Sequence, residues 1–207
     1  MLGIGTIAYF SDSETASATV TAGIINLQVD GSDTWSGTYH IDDIKPCRVK
    51  YINLTLHLEE NTNPARIWFH IKNIVDSGGE TSDAELEADP SNEINNISDQ
   101  ILVDLYLKYW LCGSPPNGCL CKNWIITEDD QLTLRDLECQ YINLTYCYCS
   151  NGCNGCDDIE EVFYPCHDIE ISISFHLKGD AGNEYQGDST TFDIEFYAEQ
   201  VDGPGPQ

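Results

Sequence analysis

The groups able to do chemistry in this 207-residue chain are five histidines, ten cysteines and 35 acidic residues, and their spacing limits what they could do. His40, His57, His70, His167 and His176 never fall into the His-Glu-x-x-His pattern that sets two imidazoles and a base on one helical face. No Gly-x-Ser-x-Gly turn is present to expose a serine nucleophile. His57, His70 and His176 occupy the polar positions of alternating segments and read as ordinary surface histidines. Cys166-His167 places a thiol beside an imidazole, but a cysteine crowded by others in an oxidised chain is half of a disulfide far more often than a nucleophile. The expectation is a chain with no catalytic residues.

Cys47 stands apart, while Cys112, Cys119, Cys121, Cys139, Cys147, Cys149, Cys153, Cys156 and Cys166 crowd together. An even count at this density fits disulfides formed in an oxidising compartment. A zinc site is the alternative, but of the close spacings only Cys153-x2-Cys156 is a usual knuckle, and no matching second pair follows it. If every cysteine is bridged, Cys47 must reach into the later cluster, because nine cannot pair among themselves. The connectivity stays open. Asn53, Asn96 and Asn143 open Asn-x-Ser/Thr acceptors for glycosylation. Two of them lie in an identical pentapeptide, Tyr51-Ile52-Asn53-Leu54-Thr55 and Tyr141-Ile142-Asn143-Leu144-Thr145, whose alternation turns Ile and Leu inward and Asn and Thr outward.

The formal net charge of -26 excludes nucleic acid and anionic membranes as natural partners. It also makes copies of the chain repel, so self-assembly needs a strong directional contact, salt or bound cations. The acidic stretches 80–89, 128–130 and 157–161 could hold calcium between subunits, although none has the spacing of an EF-hand loop and such runs are ordinarily solvated. No other cofactor is expected. No internal apolar run is long enough to span a membrane.

The elements that would position these groups are strands. Residues 49–58, 65–74, 101–110, 169–177 and 190–198 alternate apolar and polar side chains, and 18–29 and 35–41 have β composition. The pair 49–58 and 65–74, joined by a short turn, reads as a hairpin. Residues 76–100 read as an acidic surface loop with one helical turn near 84–88. Residues 112–166 read as a disulfide-rich elaboration with short elements at 124–126 and 141–148. Together these give an all-β, jelly-roll-like or Greek-key sandwich filling 13–202 as one domain, followed by a flexible tail at 203–207.

Residues 1–12 are set apart as an N-terminal strand and link. Leu2, Ile4, Thr6, Ala8 and Phe10 share one face of an extended chain, and Ile7 and Tyr9 the other. So apolar a run, ending at Ser11-Asp12, reads as a strand donated to the sheet of a neighbouring copy, in a protein that is a building block. The alternative is that it pairs within its own domain. It lacks the basic residues that open a signal peptide, so it also reads as the mature end left after a leader is removed.

Two blocks resemble a known family. Gly5-Thr6-Ile7-Ala8-Tyr9-Phe10-Ser11-Asp12 with Ala22-Gly23-Ile24-Ile25-Asn26-Leu27 is similar to the start of TasA/camelysin-type secreted proteins. Asn183-Glu184-Tyr185-Gln186-Gly187-Asp188-Ser189 with Phe192, Phe196, Ala198 and Gln200 resembles their ending, and Asp43-Ile44-Lys45-Pro46 their Leu-Lys-Pro-Gly-Asp turn, with Cys47 in place of the glycine. The resemblance implies a jelly-roll subunit of extracellular fibres, in biofilm matrices or archaeal bundling pili, where the N-terminal strand of one subunit fills a groove in the next. It implies a homopolymer with head-to-tail contacts, lateral bundling and an extracellular location. The cysteine-rich segment and the acceptors depart from the bacterial pattern and point to an archaeal pilus. Members described as metallopeptidases supply the alternative function, and a calcium- or glycan-binding surface module is a third.

Overall fold

The computed structural model describes residues 11–13, 25–32, 35, 37–42, 44–45, 48–78, 83–90, 96–111, 119–145, 162–165 and 167–201, with the side chains of 11–13, 111 and 119–123 outside that description. Among the described residues, ten strands form two antiparallel sheets: β1 (Ser11–Ser13), β2 (Leu27–Val29), β3 (Gly37–Ile41), β4 (Lys50–Leu58), β5 (Ala65–Ser77), β6 (Ile101–Leu111), β7 (Cys119–Ile126), β8 (Tyr141–Asn143), β9 (Asp168–Leu177) and β10 (Ser189–Gln200). One sheet runs β1–β10–β5–β8, with β3 beside β10, and the other runs β2–β4–β9–β6–β7. This is the expected all-β sandwich.

Alternation makes it so. Ile169, Ile171, Ile173 and Phe175 of β9 and Phe192, Ile194, Phe196 and Ala198 of β10 are buried, each strand presenting every second residue to the opposite sheet. Phe175 and Phe192 meet across the interior with ring centroids 5.4 Å apart, and Phe196 packs on Phe69 and Trp35. Each such side chain contributes roughly 1.5–3 kcal/mol by leaving water.

The expected hairpin of 49–58 and 65–74 does not form. β4 pairs with β2 and β9, whereas β5 pairs with β10 and β8 in the opposite sheet. Residues 59–64 arch between the layers, with Glu59 N–H bonded to Asn26 O and Thr62 N–H to Glu59 O. An alternating strand shows which face is buried but not which sheet it joins, and six residues easily cover the ~10 Å between packed sheets. Among the described strands, every connection except that from β6 to β7 changes sheet.

The helical turn expected near 84–88 is α1 (Asp83–Ala88). Residues 119–145 are more than an elaboration. β7 pairs along β6, and a short helix α2 (Leu134–Leu137), capped by Thr133 and Asp136, precedes β8. Ile126, Leu134, Leu137 and Leu144 all join the core.

Candidate functional site

Among the described residues, the β9 sheet is incompletely covered along part of β4. β2 pairs with Leu56–Leu58 of β4 only. Asp30 and Gly31 then adopt left-handed backbones (φ 51° and 75°), and Val29 and Ser32 exchange main-chain hydrogen bonds, so the chain turns away and becomes β3 of the other sheet. The last contact with β4 is at Thr55, whose carbonyl accepts from Asp30 N–H and whose N–H donates to Asp30 Oδ1, each at 2.8 Å. Main-chain groups of an antiparallel strand alternate in direction, so the groups of Asn53 and Tyr51 face the same side as those of Thr55. No described strand pairs with them there.

Beside this edge lies a groove of about 440 Å³ between the two layers. Tyr39 and Ile41 of β3 form one wall, Ile52 and Leu54 of β4 the other, and Phe175 the floor, with Asp30 and Lys50 among the polar lining. Burial, then the nearby Asp30 carboxylate, holds the Tyr39 phenol above its ordinary value. Lys50 Nζ donates to Asp42 Oδ1 at 2.9 Å, and that hydrogen bond draws the exposed Asp42 carboxyl below its usual range.

On the other sheet, β1 pairs Ser11 with Glu199 and Ser13 with Tyr197, alongside β3 on the same edge of β10. β10 ends at Gln200, one residue past the partner of Ser11. The donor-strand residues Leu2, Ile4, Thr6, Ile7, Ala8, Tyr9 and Phe10 lie outside the described residues.

The histidines are not the solvated groups the pattern suggested. His57 Nδ1 is 2.6 Å from Asp168 Oδ1, His70 Nδ1 is 3.6 Å from Glu195 Oε2, and His176 Nδ1 is 3.6 Å from Asp104 Oδ2. Cross-strand register sets a carboxylate next to each imidazole, and polarity alone could not reveal that. His40 lies 3.9 Å from Asp42 at a more exposed position.

His167 is buried, edge-on to Tyr109 and Tyr164, with Nδ1 lacking a hydrogen-bond partner among the described residues. Burial pushes its pKa below the ordinary 6.5, and the neighbouring Asp168 only partly opposes this. The unfolded chain therefore binds the proton more readily, and the stability from the neutral ring is present above about pH 6.5 and lost as pH falls below it. His167→Phe is expected to flatten the pH dependence of urea unfolding between pH 7.5 and 5.5, removing a slope of at most about 1.4 kcal/mol per pH unit. An unchanged slope would show that the ring does not titrate against burial.

Among the described residues, no three His, Cys, Asp or Glu side chains gather to hold a metal ion. Asp130 is engaged locally, accepting from Thr127 N–H and Oγ1, and Glu85 is buried. Residues 157–161 lie outside the described residues. The Asn53 side chain is exposed and accepts from Ser172 Oγ, and Asn96 is exposed and donates to Asp99. The second pentapeptide departs from the first: Thr145 is buried and donates through N–H and Oγ1 to Asn143 Oδ1, because β8 ends at Asn143 and the chain turns inward. Cys139 is exposed and has no disulfide partner among the described residues. Cys47, Cys112, Cys147, Cys149, Cys153, Cys156 and Cys166, and the side chains of Cys119 and Cys121, lie outside the described residues.

Two clusters escaped the sequence reading. Asp76, Ser98, Arg135 and Glu138 form a half-buried polar network, and Tyr106 and Trp124 pair on the outer face of the β9 sheet. The only advance signal for the first was the scarcity of basic residues, nine in all, which makes each buried one informative.

The fold and site define a two-layer β-sandwich in which, among the described residues, part of one edge strand is unpaired beside a groove with apolar walls. The chain belongs to the camelysin metallo-endopeptidase family, whose model matches residues 1–205. Proteins of this TasA/camelysin family are secreted, and among the described residues no helix is long and apolar enough to cross a membrane. The metal implied by the family's name has no fitting donor set among the described residues, whose strand histidines each stand against a carboxylate on an outer sheet face. No curated protein matches the chain. A chain from the structure of infectious bursal disease virus Gx strain is similar at 11% identity and TM-score 0.29, over 97% of this chain and 35% of the viral one. This chain thus spans about a third of that chain's length.

Proposed function

We infer that the protein is a structural subunit of an extracellular filament or pilus, serving cell–cell adhesion or a biofilm matrix, and that it polymerises by inserting residues 2–10 into the groove beside β4 of the next copy. The observation that carries this reading is the open β4 edge, where the main-chain groups of Tyr51 and Asn53 and the apolar walls Ile52, Leu54, Tyr39 and Ile41 match what an alternating strand needs. The register of β1 supports it from the donor side. Continued backwards, that register gives Phe10 only Gln200 as partner, so β10 has no further positions for residues 2–9. Nine extended residues reach about 30 Å. A head-to-tail contact of this kind does not close on itself and yields a fibre. Burying Ile4, Ala8 and Phe10, at roughly 1.5–3 kcal/mol per large side chain, offsets the repulsion between copies of net charge -26. The jelly-roll winding, disulfides, glycans at Asn53, Asn96 and Asn143, lateral bundling and likeness to archaeal bundling pili belong to the same proposal.

Deleting residues 2–10 tests it. The truncated chain is expected to remain a monomer with the unfolding midpoint of the full chain, while the full chain forms fibres visible by negative-stain imaging. Fibres of normal length from the truncated chain would overturn the reading.

A further inference from the structure

The outer face of the β9 sheet carries a row that the filament reading does not use. Register places Asn53 of β4 opposite Ser172 of β9, Ser172 opposite Tyr106 of β6, and Tyr106 opposite Trp124 of β7. Neighbouring strands lie about 4.8 Å apart, so the row runs for about 14 Å across the sheet. Its aromatic end is open: Trp124 is 57% exposed, and its ring lies 4.7 Å from that of Tyr106, tilted by 49°. Its polar end is hydroxyl and amide. Ser172 Oγ donates to Asn53 Oδ1 at 2.8 Å, and where Asn53 carries no glycan its NH₂ is left to donate elsewhere. Tyr51, 64% exposed, stands on the same face of β4.

Charge narrows what such a row would take. In a chain of net charge -26, the three outward carboxylates described on this face are each engaged by a neighbour. Asp168 meets His57 at 2.6 Å, Glu170 meets Lys108 at 3.1 Å, and Asp104 Oδ2 accepts from Ser174 Oγ at 2.8 Å with His176 beside it, while Asp104 Oδ1 is shut away from solvent without a partner among the described residues. Carboxylates already engaged neither repel a neutral molecule nor call for a cation. An aromatic pair beside hydroxyl and amide groups matches the two surfaces of a pyranose ring, whose C–H face packs on an aromatic ring while its rim of hydroxyls exchanges hydrogen bonds.

We propose that the row Asn53–Ser172–Tyr106–Trp124 is a binding site for an uncharged oligosaccharide supplied from outside the chain. The row shares Asn53 with the rim of the β4 groove, but its aromatic end at Tyr106 and Trp124 lies outside that groove, and the site stands whether or not the protein polymerises.

The test uses full-length protein made in a host that adds no N-glycans, titrated calorimetrically with cellopentaose, mannopentaose and chitopentaose. At least one is expected to bind. Trp124→Ala and Tyr106→Ala should each weaken that binding at least tenfold, Trp124→Tyr should restore most of it, and Val75→Ser, at an exposed apolar position on the other sheet, should leave it unchanged. Failure of all three sugars to bind the unaltered protein overturns the site, as does a Trp124→Ala variant that binds as well as the parent. Loss of fibres in Trp124→Ala without any sugar binding by the parent would assign the face to subunit contact and overturn it equally.

Discussion

Ile52→Arg chains, purified alone, are expected to form no fibres, yet mixed one to one with chains lacking residues 2–10 they should give a discrete heterodimer. Ile52 is half-buried on the groove wall, its side chain on the face of β4 opposite those of Tyr51 and Asn53. An arginine there leaves the β4 ladder with β9 intact, because that ladder is formed by main-chain groups on the other side of the strand. It brings a charge and a long side chain into a space floored by Phe175. A donated strand entering the groove would have to displace that long side chain and strip its charge of water, a cost of several kcal/mol that exceeds the gain from one buried aliphatic side chain. The Ile52→Arg subunit keeps its own N-terminal strand and so remains a donor. The truncated subunit keeps its groove and remains an acceptor. Each is inert alone, and the pair stops at two because the complex has neither a free donor nor an open groove. Size-exclusion chromatography with light scattering reads the outcome directly. Fibres from Ile52→Arg alone would remove β4 as the acceptor, and absence of the heterodimer would remove the donor-to-groove contact. Charges at Ile4 or Phe10, set against charges at Ile7 or Tyr9, would then show which face of the donor is buried.

Five strands were legible because each buries one face only. β4, β6, β9 and β10 fall within a residue or two of their expected bounds, since alternation continues for as long as the strand lies over the core. β5 runs on to Ser77, past its expected end. At Asn73 (φ 55°) the backbone turns left-handed where the register with β10 shifts between Thr191 and Asp193, and the shift interrupts the alternation that a sequence pattern follows. Sheet membership was not legible, because it depends on pairings between strands as distant as β4 and β9, and the same Leu54, Leu56 and Leu58 pattern serves a hairpin or an arch equally well. The acceptor edge was hidden for a related reason. It exists because Asp30 and Gly31 turn the chain away after three residues of β2, and left-handed φ values at an Asp-Gly pair are compatible with a hairpin or with a departure. The histidine partners and the Trp124 row are products of cross-strand register, which joins residues with no relation along the chain.

Arg135→Met is expected to cost about 3 kcal/mol of stability, near the lower end for breaking a buried ion pair because the arginine side chain is itself about a third exposed. One guanidinium holds three parts of the fold together. Nη2 donates to Asp76 Oδ2 at the end of β5 at 2.9 Å, Nε donates to Ser98 Oγ in the turn before β6 at 3.1 Å, and Nη1 donates to Glu138 Oε2 after α2 at 2.8 Å. Ser98 Oγ in turn donates to Asp76 Oδ2 at 2.6 Å, and Glu138 Oε1 accepts from Ile74 N–H at 3.1 Å. Burial works against the arginine's charge, but its hydrogen bonds to Glu138 and Asp76 outweigh that and raise its pKa. Methionine keeps most of the side-chain volume and removes the charge, so the loss falls on Asp76, whose side chain is only 9% exposed and retains Ser98 as its hydrogen-bond partner. That account makes a second, sharper claim. Asp76→Asn removes the stranded charge, so in the Arg135→Met background it should recover about 1–2 kcal/mol, whereas in the unaltered protein it should destabilise. Urea unfolding of the four proteins measures the cycle. A cost below about 0.5 kcal/mol for Arg135→Met, in the range of an exposed pair, would reduce the network to surface decoration. Equal effects of Asp76→Asn in both backgrounds would show that the arginine and the aspartate act independently, leaving packing of α2 against β5 to hold this end of the sandwich.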